Sequence, residues 1–131
     1  MIEGLGEFQV KLIYKNDNDT IRTYNAYSGD TSIGDCQINL YENCLTIFSI
    51  NIYEKYQRKG FGKKLVYKIE NVAKKLGYDI MIIEWSQENE NYVAPRKLAL
   101  SCGFMEMSKV DYDKSGYRPI KNSINYVKYI N

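Results

Sequence analysis

The chain of 131 residues contains no histidine. Histidine is the side chain whose unperturbed titration falls nearest neutrality. Its absence excludes a Ser-His-Asp hydrolase and a histidine-ligated zinc enzyme. Cysteine is scarce: Cys36, Cys44 and Cys102 are an odd count without a CxxC pair. Neither a disulfide framework nor a structural metal site is expected, and the thiols read as buried core groups. No apolar run approaches the roughly 20 residues that a membrane span needs. The opening MIEGLGEF lacks the basic segment and apolar stretch of a signal peptide. The expectation is a cytoplasmic protein with no membrane partner. The formal net charge of +2 is too small to argue for nucleic acid, which is not expected as a partner.

What is present suits one domain over residues 1–131. Hydrophobic residues make up 44% and charged residues 26%, enough apolar material to bury a modest core. Residues 8–14 (FQVKLIY) alternate and are rich in β-formers, so they read as a strand. NDND at 16–19 is a turn. Strands follow at 20–27, 32–40 and 44–52. In the last of these, Leu45, Ile47 and Ser49 are expected on one face and Phe48, Ile50 and Ile52 on the other. Residues 61–76 carry Phe61, Leu65, Ile69, Val72, Ala73 and Leu76 at helical spacing, with Gly77 where a terminating glycine belongs. Residues 79–85 (DIMIIEW) form a nearly continuous apolar run, typical of a strand buried on both faces. A short helix is expected at 93–101, with Pro95 in its first turn. Residues 104–110 then read as a strand, 111–122 as a loop with Gly116 and Pro119, and 123–130 as a last strand. The strand-helix-strand unit around 61–76 implies a parallel pair inside a mostly antiparallel sheet.

The segment Gln57-Arg58-Lys59-Gly60-Phe61-Gly62-Lys63 joins the long strand to the long helix. A helix start offers unpaired N–H groups and the positive end of the dipole. Glycines at 60 and 62 remove Cβ atoms that would hold a phosphate away, and the basic neighbours add charge. Together they read as a pyrophosphate cradle. A Walker loop is excluded, because no GxxxxGK[ST] occurs, and so is a GxGxxG fingerprint. Glu84 interrupts the apolar run near its end, where burial would make a carboxylate a better base. Its ordinary reading is a strand-end carboxylate that reaches solvent or pairs with a lysine. Glu54, at the end of the preceding strand, is the second candidate.

Three features resemble the GNAT acetyltransferase superfamily. These are I-x-I-x-E-x-x-Q-R-K-G-F-G-K-K-L from Ile50 to Leu65, the buried strand directly after that helix, and Cys102-Gly103-Phe104 closing a short helix. The resemblance covers the chain from about Leu45 onward. It implies a mixed, mostly antiparallel sheet with a central, splayed parallel strand pair and helices packed on it. The stretch at 15–32 is too short for the two helices that members usually carry there. The resemblance also implies acetyl-CoA as acetyl donor and an amine as acceptor. Ile50 and Ile52 would meet the acetyl and pantetheine groups through the backbone. Gln57, Arg58, Lys59, Gly60, Phe61, Gly62 and Lys63 would form the pyrophosphate loop. Members often carry a tyrosine as general acid four residues before the Gly of Gly-Phe; that position is Ala99 here. Tyr92 or a water is the substitute. With no histidine, Glu84 or Glu54 would take the amine proton. The short 15–32 connection points to a protein or peptide acceptor, with the loop 111–122 and its Tyr112, Tyr117, Arg118 and Lys121 bordering it. The alternative is a CoA-binding module of the same fold without catalysis.

Overall fold

The computed structural model describes residues 7–86, 93–119 and 123–130. Strands β1 (Phe8–Lys15), β2 (Ile21–Ser28), β3 (Thr31–Leu40) and β4 (Leu45–Ile52) form an antiparallel meander. The first turn is closed by Asn16, whose Oδ1 accepts from the N–H groups of Thr20 at 2.8 Å and Ile21 at 2.9 Å. A 3₁₀ turn at Glu54–Tyr56 leads into helix α1 (Phe61–Lys75). Then come β5 (Ile80–Ser86), α2 (Val93–Ser101), β6 (Met105–Glu106), α3 (Lys109–Ser115) and β7 (Ser123–Tyr129). The sheet order is β1-β2-β3-β4-β5-β7-β6. Every neighbouring pair is antiparallel except β4 and β5. This is the mixed, mostly antiparallel architecture expected above.

Two cores lie on opposite faces of the sheet. On one, α1 inserts Phe61, Leu65, Val66, Ile69 and Ala73 against Ile38, Leu45, Ile47, Met81 and Ile83. Each large side chain buried there contributes roughly 1.5–3 kcal/mol. Gly77, at φ 89°, ends α1: its N–H donates to the Lys74 carbonyl, and the Tyr78 N–H donates to Ala73. Both orphan carbonyls are thereby satisfied. The second core gathers Cys44, Ile80, Ile82, Met107, Tyr117 and Val127, with Tyr112 of α3 packed on it. Strand β5 serves both cores by alternation, which is why its sequence is apolar throughout.

Two expectations are corrected. The faces of β4 do not divide as simple alternation predicts. Gln37 pairs with Ser49 but Ile38 pairs with Ile47, so Phe48 is an extra, bulged residue. The bulge resets the alternation, and Leu45, Ile47, Ile50 and Ile52 all pack on the α1-side core while Phe48 does not. The second correction concerns 104–122. Among the described residues of this stretch only Met105–Glu106 forms a strand; Lys109–Ser115, expected as strand end and loop, is a helix. Ser108 and Asp111 form a reciprocal capping box, and Gly116 closes the helix in the left-handed region. Local capping outweighs the apolar spacing of Phe104, Met107 and Val110.

Candidate functional site

The parallel pairing of β4 and β5 runs only from Leu45–Met81 to Ile47–Ile83. Beyond it β4 continues to Ile52 and β5 to Ser86, so a gap opens between their C-terminal ends. On the other side, the Tyr53 N–H still donates to the Ile33 carbonyl at 3.0 Å. Antiparallel pairs alternate, so Ile52–Gly34 and Ile50–Cys36 are the pairs without mutual hydrogen bonds. The polar backbone groups of Ile50 and Ile52 therefore turn from β3 toward the gap. Gln57 ties the next loop to this strand end, its Nε2 donating to the Ile52 carbonyl at 2.8 Å.

The loop after Gln57 is held in an unusual backbone shape. Arg58 adopts φ 64° and Gly60 φ 81°. A β-carbon on Gly60 would meet nothing within 4 Å, so this glycine answers the backbone angle and leaves open space in front of the helix. No side chain caps α1. Its first intrahelical bond is from the Lys64 N–H to the Gly60 carbonyl, which leaves the N–H groups of Phe61, Gly62 and Lys63 without an intrahelical acceptor. The side chains of Arg58, Lys59, Lys63 and Lys64 are exposed around this end. The arrangement is a cationic, donor-only surface suited to an anion. The side-chain positions of two loop residues face inward. The Phe61 ring is buried and stacked on Phe8 at 6.0 Å, so only its backbone faces the loop. A β-carbon on Gly62 would rest on Leu98 of α2 at 3.5 Å, an ordinary contact.

Glu84 lies one residue past the last β4–β5 pair, on the α3 side of the sheet. It is half-buried, and one carboxylate oxygen accepts a hydrogen bond from the Tyr117 hydroxyl. Among the described residues it forms no ion pair with a lysine. Burial, and then the hydrogen bond to Glu84, push the Tyr117 phenol well above its ordinary value, so it stays a donor. Tyr112 stacks on Tyr117 at 6.5 Å and Tyr41 meets it edge-on at 5.9 Å. Across β7, Asn125 is paired in register with Glu84 and donates to the Tyr112 hydroxyl at 3.2 Å. Tyr112 and Tyr117 also line a pocket of about 260 Å³ with Arg118. Tyr117 is expected from the sequence as a loop residue bordering the acceptor, without a partner. Nothing local in the sequence links it to Glu84, 33 positions away.

Among the described residues, the remaining candidates are not brought into this cluster. Glu54 is exposed in the 3₁₀ turn and forms no ion pair among the described residues. Tyr92 lies outside the described residues, as does Lys121. Ala99 is fully buried in the α1-side core, so the position of the family's tyrosine offers no proton donor. Cys102 is buried too, and burial raises its thiol above the ordinary range, which disfavours a nucleophilic thiolate. No helix among the described residues is long and apolar enough to cross a membrane.

Residues 4–104 match the model of the Acetyltransferase (GNAT) family. No curated protein matches the chain. Among solved structures, a Bacillus subtilis acetyltransferase in complex with CoA is similar at 19% identity and TM-score 0.70, covering 95% of this chain and 100% of that one. An IAA acetyltransferase from Bacillus cereus is similar at 20% identity and TM-score 0.70, covering 94% and 99%. A GNAT family acetyltransferase from Elizabethkingia anophelis with acetyl-CoA bound is similar at 16% identity and TM-score 0.70, covering 93% and 97%.

Proposed function

Because the chain belongs to the acetyltransferase (GNAT) family, we propose that it moves an acetyl group from acetyl-CoA to a primary amine. The observation that carries this reading is the junction of the β4–β5 gap with the uncapped, cationic start of α1. The pyrophosphate sits on the N–H groups of Phe61, Gly62 and Lys63, with Arg58, Lys59 and Lys63 supplying charge. The pantetheine arm enters the gap and pairs with the backbone of Ile50, the Ile52 carbonyl being held by Gln57. The Ile52 N–H donates to the thioester oxygen, where negative charge grows during attack.

The amine nitrogen attacks the acetyl carbon, a C–N bond forms and the C–S bond breaks. A lysine-like amine is mostly protonated at pH 7, so one proton must leave before attack. Glu84 accepts it, directly or through water. After attack the nitrogen gives up a second proton, which reaches the departing thiolate through water, since Ala99 supplies none. Orientation of the two reactants can contribute roughly 7–11 kcal/mol, so a dedicated acid is not required. The short turn between β1 and β2 leaves the acceptor side little covered, which favours a protein or peptide amine. A cytoplasmic setting fits three cysteines that are all buried and unpaired.

The buried Ala99 favours one second reading, a module that binds acetyl-CoA without turnover. Calorimetric titration with acetyl-CoA, followed by incubation of radiolabelled acetyl-CoA with lysine-containing peptides, separates the two. Micromolar binding, about −8 kcal/mol, with label transfer supports the enzyme. Binding without transfer supports the module, and no binding defeats both.

A further inference from the structure

Gly34 is buried in β3 and pairs with Ile52, the last residue of β4. Its backbone does not lie in the left-handed region, so backbone freedom does not explain a glycine there. Space does. A β-carbon at position 34 would stand 2.2 Å from the Asn51 carbonyl oxygen, and 3.1 Å from both Cα and Cδ1 of Ile52. The first of these neighbours is backbone, which no rotamer change can move. The β4 end therefore leans across the bare Cα of Gly34, onto β3 and away from β5. Ile52 also borders the gap, and its carbonyl accepts the Gln57 bond that anchors the loop.

We propose that Gly34 is a positioning residue. Its missing side chain lets the end of β4 lean onto β3, which holds the gap open and aims the Ile50 and Ile52 N–H groups into it. This rests on the reading of the gap as the pantetheine site. A side chain at 34 displaces Asn51 and Ile52 from β3, and the only free direction in the sheet is toward β5. The α1 loop is tied to the displaced segment through the Gln57 side chain, which can follow a small shift, while the helix start is held separately by Phe61 stacked on Phe8, so the pyrophosphate end of the cofactor should feel little.

The test compares two ligands on two proteins by calorimetry. One ligand is acetyl-CoA. The other is 3′-phospho-ADP, which keeps the adenosine, the 3′-phosphate and the pyrophosphate but lacks pantetheine. Gly34→Ala is expected to weaken acetyl-CoA by at least about tenfold, toward the affinity of the fragment, and to leave the fragment's affinity unchanged. Unchanged acetyl-CoA affinity overturns the proposal. So does an equal loss for both ligands, which would mean general damage to the fold. If the unaltered protein binds neither ligand, it is the cofactor reading that has failed. Should Gly34→Ala not fold, Gly34→Ala/Asn51→Gly frees the clashing peptide to rotate. That protein is expected to show the same selective loss, and its absence there overturns the proposal equally.

Discussion

Helices α1 and α3 begin with the same backbone donors and treat them in opposite ways. At α3, the Ser108 N–H donates to Asp111 Oδ2 at 2.8 Å, and the Asp111 N–H donates back to Ser108 Oγ at 3.4 Å. The helix carries its own carboxylate in the first turn, where the dipole favours one. At α1 the capping position is Gly60, no side chain caps, and no acidic residue occupies the first turn. Exposed lysines and an arginine stand there instead. A helix start becomes an anion site when the sequence withholds the cap and supplies positive charge. It becomes a closed structural feature when Ser and Asp fill it from within.

The difference can be broken most severely by giving α1 a carboxylate. Gly60→Glu places negative charge and bulk where the pyrophosphate is proposed to sit. Like-charge contact costs several kcal/mol, so acetyl-CoA affinity should fall by about 10²-fold or more in a calorimetric titration. Gly62→Ala sharpens the contrast, because its new methyl would rest on Leu98 rather than on a ligand. Its affinity should stay within about twofold. Equal losses in both variants would mean that the loop tolerates no change, whatever its direction.

The comparison extends from binding to chemistry through Glu84, which sits on the α3 side of the sheet. Glu84→Gln keeps size and hydrogen bonding but cannot accept a proton. It should lower kcat by roughly 10²-fold at pH 7 and leave acetyl-CoA affinity nearly unchanged. The deficit should shrink at high pH, where the amine deprotonates unaided. Full activity of Glu84→Gln at pH 7 would make Glu84 structural and shift the search for a base to Glu54.

The α1 start was readable because its signals are local: a strand, two glycines, basic residues and a helical stripe follow one another between residues 44 and 76. The parallel pair was readable for the same reason, since a long helix between two strong strands leaves few topologies. The α3 start was equally local, as Ser108-Lys109-Val110-Asp111, but the apolar spacing around it was read as a strand. The bulge at Phe48 left no trace, because an extra residue in an apolar strand still looks apolar. The Tyr117–Glu84 bond and the approach of Asn51 to Gly34 are tertiary. They depend on how β7 and α3 return to the sheet and how β4 twists over β3, which no local pattern encodes.

The next smaller effect comes from opening α3. Ser108→Ala removes the side-chain acceptor and should cost about 1 kcal/mol of stability, read as a lower midpoint in urea. Acetyl-CoA affinity should not change, because α3 lies across the sheet from the α1 loop. A loss of affinity matching the loss of stability would mean that the two helix starts are coupled and the comparison fails.

The smallest effect is a pH window written into the same cap. The backbone hydrogen bond at Ser108, and then the Tyr129 hydroxyl at 2.7 Å, hold the Asp111 carboxyl below its ordinary range. A lowered folded value means the stabilisation is complete above the unfolded value, near 3.8, and disappears as pH falls through the folded one. Tyr129 has the opposite sense. The Asp111 carboxylate pushes its phenol up to about 12, so its share is complete below the unfolded value of 10.0 and lost as pH rises from there through 12. Tyr129 is exposed and Asp111 only half-buried, so solvent screens both and each arm should amount to no more than about 1 kcal/mol. Other tyrosines also titrate at high pH, so the alkaline arm must be read as a difference. Tyr129→Phe should remove the extra loss of thermal midpoint between pH 10 and 12 and weaken, without abolishing, the acid arm. Asp111→Asn should flatten both. If the midpoints of the unaltered protein and Tyr129→Phe run parallel throughout that alkaline range, the Tyr129–Asp111 bond contributes nothing to the closure of α3, and Ser108 alone accounts for it.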